Sequence, residues 1–116
     1  MGLLTGGATM TTQTQNDLHN IVKTIADTGI ASKIILFGSL ARGEENPDSD
    51  IDLCVLTPIT DRRPIDISIE LRRKLFSFNN PLDILTYNQD RFAEHATQQT
   101  SFAHVISKEG VVVYER

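Results

Sequence analysis

The apolar residues in the first half of the chain follow a helical period and then two strand-like runs. Residues 13–28 carry one apolar face at helical spacing, formed by Leu18, Ile21, Val22 and Ile25. Residues 33–37 and 51–56 are short, nearly continuous apolar runs, a pattern typical of strands that are buried on both faces. The pattern therefore predicts a helix followed by two buried strands.

The segment at residues 64–78 fits two patterns. Ile65, Ile67 and Ile69 alternate as they would in a strand, whereas the apolar positions of the whole segment also recur at helical spacing. Pro64 suits the first position of a helix, and the segment is longer than a typical strand. We therefore predict a helix here.

The remaining pattern completes one small domain. Residues 39–43 are predicted to form a short helical turn, and residues 44–49 a polar loop. Residues 82–87 and 111–114 are predicted to be the third and fourth strands, and residues 88–108 to be mostly helical, in one or two pieces. The resulting order predicts an α/β fold: a single small domain with a mixed β-sheet flanked by helices.

Composition fits one globular domain. The chain has 116 residues, 40% of them hydrophobic and 22% charged, and no apolar run long enough to span a membrane. Residues 1–12, rich in Gly and Thr, are predicted to be a flexible leader, which leaves 13–116 as the domain. The single cysteine, Cys54, lies within an apolar strand and is expected to be a core residue in a reducing cytoplasm.

Charge narrows the classes of partner. The net charge is −4, and the short basic cluster at residues 72–74 is expected to be a solvated helix face. Because nucleic-acid binding usually needs a basic surface, a nucleic acid is disfavoured as the main ligand. A small molecule or a protein is the more suitable partner.

The candidate chemistry lies where two of the strands end and begin. Gly38 and Ser39 close the first strand, and Asp50 and Asp52 open the second. Alternate residues of a strand point to the same face, so the two carboxylates are expected side by side. Their repulsion favours a bound cation, and Mg²⁺ prefers such oxygen ligands together with the phosphates of a substrate. The Gly-Ser turn offers backbone N–H groups to the same phosphates.

A third carboxylate lies in the next predicted strand. Asp83 stands between apolar neighbours, where a charge is unfavourable unless a cation or hydrogen bonds compensate it. If this strand lies beside the second, Asp83 joins Asp50 and Asp52 in a site for two Mg²⁺ ions and phosphoryl transfer. Asp66 is the rival third carboxylate, but it is predicted to lie on a helix with solvent access.

These motifs resemble a known family. Phe37-Gly38-Ser39, Asp50-Ile51-Asp52-Leu53 and Leu82-Asp83-Ile84 resemble the nucleotidyltransferase superfamily related to DNA polymerase β. Three wider stretches are similar to its minimal nucleotidyltransferase (MNT) subgroup, namely residues 38–43, 47–53 and 110–115. The resemblance covers about residues 16 to 115 and implies the polymerase β-like fold.

The resemblance also implies roles for the residues. Gly38 and Ser39 would bind the triphosphate of ATP. Asp50 and Asp52 would hold both Mg²⁺ ions, and Asp83 would be the third metal ligand. Arg42 would approach the phosphates.

The resemblance further implies an acceptor. Larger members of the family carry extra domains for the acceptor, and in this chain something else is expected to present the hydroxyl. MNT proteins are often encoded beside a helical HEPN protein, an RNase toxin that they neutralise by transferring AMP to a tyrosine. The expected partner is therefore a HEPN toxin, with which this chain would form a hetero-oligomer. In that pair the chain is expected to be the antitoxin. Two alternatives stay open: transfer to a small molecule or an RNA end, and inhibition of a toxin by binding alone.

Overall fold

The structure, a computed structural model, describes residues 10–44 and 50–116 and has the predicted α/β architecture. The described elements, in chain order, are α1 (Thr12–Asp27), β1 (Lys33–Phe37), β2 (Ile51–Thr57), α2 (Pro64–Lys74), β3 (Leu82–Asn88), α3 (Gln89–Ala96), α4 (Phe102–Glu109) and β4 (Val111–Glu115). The ambiguous segment is a helix, as predicted, and residues 88–108 contain two helices. The predicted polar loop lies outside the described residues except for its first position.

The strands form a mixed sheet in the order β3-β2-β1-β4. β1 pairs antiparallel with both of its neighbours, whereas β2 and β3 run parallel. A parallel pair needs a crossover connection, and α2 provides it between β2 and β3. This topology places the start of β3 beside the start of β2.

Helices cover both faces of the sheet. Alternate residues of β1 point to opposite faces: Ile34 belongs to the core cluster that includes α1 and α2, and Ile35 to the cluster that includes α3 and α4. The middle of β2 is likewise buried on both sides. Burial on two faces explains why these strands are continuous apolar runs rather than alternating ones.

The described structure includes the last residues of the predicted leader. α1 starts at Thr12, and the hydroxyl of Thr11 caps it by accepting the N–H of Thr14 at 3.1 Å. Met10 is only 5% exposed and packs in the core. Residues 10–12 therefore contact the core and cap α1, although they belong to the predicted leader. Residues 1–9 lie outside the described part of the chain, and the division at residue 12 stays a prediction.

Helix length also bears on membranes. The longest described helix, α1, has 16 residues and one polar face. In the part of the chain that the structure describes, no helix combines the length and the apolar character needed to cross a bilayer.

Candidate active site

The predicted site residues meet at one edge of the sheet. Phe37, the last residue of β1, pairs with Asp52 on β2, and Asp52 pairs with Asp83 on β3. Gly38 directly follows Phe37, and the carboxylate of Asp50 is close enough to Asp52 to act on its ionisation. The parallel register of β2 and β3 thus brings together carboxylates that are far apart in sequence.

Gly38 is in steric contact with this carboxylate cluster. Its φ angle is +78°, in the left-handed region that favours glycine. A Cβ atom at this position would also overlap the carboxylate of Asp52. Only glycine therefore lets the turn after β1 lie directly against the Asp52 side chain.

The residues after Gly38 form a hydrogen-bonded turn. The N–H of Arg42 donates to the carbonyl oxygens of Gly38, at 3.3 Å, and Ser39, at 3.1 Å. Among residues 10–44 and 50–116, the backbone hydrogen bonds of turns, loops and caps include none that is donated by the N–H groups of Ser39, Leu40 or Ala41. N–H groups at the start of such a turn are suited to bind an anion, for example a phosphate.

The neighbouring carboxylates perturb the ionisation of Asp52. Partial burial raises the pKa of Asp52, and the negative charges of Asp83 and Asp50 raise it further, while Arg42 lowers it. The charged form of Asp52 is therefore less favourable here than in water. A bound cation would relieve this repulsion, and oxygen donors of this kind match the preference of Mg²⁺.

Asp83 already has a cationic partner within the protein. Its carboxylate accepts a hydrogen bond from the guanidinium of Arg72 on α2, at 2.9 Å, and both side chains are more than half exposed. Among the described residues, no three or more His, Cys, Asp or Glu side chains are grouped so that they could hold a metal ion. Asp83 would have to exchange Arg72 for a cation before it could act as a ligand.

Sequence reasoning missed this role of Arg72. The residue was expected to belong to a solvated helix face, and it is indeed half exposed. Its contact with Asp83 spans 11 positions of the chain and depends on the packing of α2 against β3. No local signal in the sequence indicates that contact.

Arg42 lies close to the site. Its guanidinium is 3.4 Å from the carboxylate of Glu44 and 3.7 Å from that of Glu109, and it is partly exposed. Its charge also reaches Asp52, whose pKa it lowers. A phosphate-binding role for Arg42 is compatible with this position and stays a prediction.

Two other candidate residues have structural roles. Asp66 lies in the first turn of α2 and forms a 2.9 Å ion pair with Arg63, which lowers the pKa of Asp66. Cys54 is fully buried, and burial raises its pKa to about 12. Asp66 is thus engaged outside the carboxylate cluster, and Cys54 is the core residue that the sequence predicted.

Comparison with known proteins agrees with this fold. The profile of the family described as "Polymerase beta, Nucleotidyltransferase" matches residues 19–116, so the chain belongs to this family. The structure resembles the crystal structure of a proposed nucleotidyltransferase from Sulfolobus solfataricus, with a TM-score of 0.63 and 19% sequence identity over 87% of this chain and 79% of that chain. At this identity the likeness concerns the fold alone. No curated protein matches the sequence.

Proposed function

We propose that this domain transfers AMP from ATP to a hydroxyl group in a reaction that depends on a divalent cation. One observation carries the proposal: the Asp52 carboxylate lies against the Gly38 turn and directly opposite Asp83. This arrangement combines anion-binding N–H groups with cation-binding oxygens, the two features that phosphoryl transfer needs. Membership of the nucleotidyltransferase family supports the same reaction class.

The turn would bind the nucleotide. The N–H groups of Ser39, Leu40 and Ala41 are suited to donate to the phosphate oxygens, and Arg42 supplies positive charge nearby. These contacts would hold the α-phosphorus in place relative to the carboxylates. Positioning of this kind is a major part of catalysis in phosphoryl transfer.

The carboxylates would hold the cation. Asp50, Asp52 and Asp83 would share up to two Mg²⁺ ions, which supply charge stabilisation and acidify the attacking hydroxyl when bound. The acceptor oxygen then bonds to the α-phosphorus, the bond to pyrophosphate breaks, and Asp83 takes the proton of the hydroxyl. Asp83 must first release the guanidinium of Arg72, which otherwise occupies its carboxylate.

The proposed acceptor is a tyrosine of a HEPN RNase toxin, which the chain would neutralise as an antitoxin. The support is the resemblance of residues 38–43, 47–53 and 110–115 to the MNT subgroup. The net charge of −4 also suits a protein acceptor better than RNA. The two proteins would form a hetero-oligomer in which the partner presents the hydroxyl.

Intact-mass spectrometry of the co-expressed pair tests this proposal. The chain and the protein encoded beside it are incubated with ATP and Mg²⁺. We expect AMP additions on the partner with the wild-type chain and with Asp66→Asn, a matched control outside the carboxylate cluster. We expect none with the double variant Asp50→Asn/Asp52→Asn.

The outcome also separates the alternatives. Inhibition by binding alone is the second candidate, because Arg72 already occupies Asp83 and the described residues lack a grouped metal site. A stable complex without AMP addition, in which the double variant still neutralises the toxin, would establish that candidate. If labelled AMP appears on a small molecule or on an RNA end, that molecule would be identified as the acceptor in place of a toxin tyrosine.

A further inference from the structure

A small apolar cavity opens beside the Gly38 turn. It has a volume of about 180 Å³ and lies between the end of β1 and α4. Its walls are mainly apolar, with one charged pair, and its principal lining residues are Phe37, Gly38, Phe102, Val105, Arg42 and Glu109. The carboxylate chemistry described above does not use this cavity.

The cavity lies on the carboxylate side of the sheet. Phe37 pairs with Asp52 across β1 and β2, and directly paired residues project from the same face. Gly38, which lies against the carboxylate of Asp52, also lines the cavity. If the phosphates of a ligand are bound at the turn, the group attached to those phosphates therefore lies close enough to enter the cavity.

Two large apolar side chains at the cavity remain exposed. Phe102 is 52% exposed and Val105 is 41% exposed, although the neighbouring residues of α4 are buried in the core. The ring of Phe102 meets that of Phe37 edge to face, with centroids 5.7 Å apart. Apolar side chains left open to water beside a candidate active site indicate a surface that a ligand covers.

We propose that this cavity holds the base of the nucleoside triphosphate. The inference rests on the proposed nucleotidyl transfer. A volume of about 180 Å³ is smaller than that of a pocket for a whole drug-sized ligand, so it suits one ring system. The aromatic walls match the face of a base, since base–aromatic stacking is favourable for every base.

The charged pair supplies contacts for the edge of the base. Arg42 offers N–H donors and Glu109 offers carboxylate acceptors, with 3.7 Å between their nearest charged atoms. The aromatic ring of an acceptor side chain would share the stacking chemistry. The base is favoured because its own phosphates would be bound at Gly38, which lines the cavity.

Calorimetric binding of ATP and of inorganic tripolyphosphate, each with Mg²⁺ and without acceptor, tests the assignment. We expect Phe102→Ala to weaken ATP binding about tenfold through loss of one stacking contact, with tripolyphosphate binding unchanged. Phe76→Ala is the matched control, because Phe76 is 88% exposed and does not line the cavity. This variant should bind both ligands as the wild type does.

Several results would overturn the assignment. Equal affinity of the wild type for ATP and tripolyphosphate would show that the base contributes nothing. An equal loss for both ligands in Phe102→Ala would mean that the residue only supports the turn. If Phe102→Ala leaves ATP affinity unchanged but raises the KM for the acceptor, the cavity binds the acceptor and not the base.

The two proposals fail in different ways. A wild type that binds ATP more tightly than tripolyphosphate and loses this preference in Phe102→Ala, yet transfers no AMP, would keep the base site and remove the transferase. If the protein transfers AMP but its ATP affinity does not change in Phe102→Ala, the transferase proposal would stand and the base site would be refuted. Binding of neither ligand would remove both.

Discussion

Replacing Gly38 by alanine tests the contact between the turn and the carboxylates. The chain offers a matched control in Gly29, which has nearly the same backbone angle: φ is +78° at Gly38 and +75° at Gly29. A Cβ atom at Gly29 would have no neighbour within 4 Å, whereas one at Gly38 would overlap the Asp52 carboxylate. The pair of variants therefore separates backbone strain from steric overlap.

The expected magnitudes follow from these two terms. The left-handed conformation costs an L-residue about 1–2 kcal/mol, so Gly29→Ala should lower the free energy of unfolding by that amount. Gly38→Ala adds the cost of displacing the carboxylate or the turn, about 1–3 kcal/mol as in other overpacked sites. A displacement of about 1 Å near reacting groups also lowers a catalytic rate by about 100-fold.

Urea unfolding and initial transfer rates measure both effects. Gly29→Ala should keep the wild-type rate, and Gly38→Ala should lose about 100-fold or more. In an Asp52→Ala background the nearest overlapping atoms are absent, and the cost of Gly38→Ala to stability should fall to that of Gly29→Ala. Equal destabilisation by Gly29→Ala and Gly38→Ala in the wild-type background, or full activity of Gly38→Ala, would refute the reasoning.

Three further predictions concern stability and reactivity. Burial and the neighbouring carboxylates raise the folded pKa of Asp52 above 3.8, so the native state binds more protons and the wild type loses stability as pH rises through that window. Without divalent cation, Asp52→Asn should therefore raise the free energy of unfolding at pH 7, measured in urea, by on the order of 0.5 kcal/mol. This gain should vanish below pH 3.8, and a variant less stable than the wild type at pH 7 would contradict it. Gly110→Ala should cost about 2 kcal/mol in urea unfolding, because its Cβ would overlap the Ile35 side chain and the Ile106 carbonyl; an unchanged midpoint would count against this packing. The buried Cys54 thiol, with a pKa of about 12, should resist a thiol reagent at pH 8 until urea unfolds the chain, and rapid labelling of the native protein would show that the strand opens.

The sequence predicted most elements because their signals are local. The helical face of α1 and the apolar runs of β1 and β2 reflect direct contact with the core, which acts on neighbouring residues. The burial of Met10 had no such local signal. Met10 is buried by packing against the core, and one apolar residue in a Gly- and Thr-rich stretch gives no periodic signal.

The candidate site was predictable only in part. Gly38, Ser39, Asp50 and Asp52 lie at the end of one strand and the start of the next, so spacing alone indicated that they meet. The position of Asp83 depended on which strand lies beside β2. The family resemblance supplied that neighbour, and the structure shows it as a parallel pairing.

The sequence by itself determined the elements, the fold class and the types of residue at the site. Only the tertiary structure decided that Asp52 contacts the Gly38 turn, that Arg72 holds Asp83, and that α4 forms a cavity beside them. Propensity and periodicity act between residues a few positions apart. Charge pairs, steric overlap and cavities depend on the register and packing of distant segments, which local sequence does not encode.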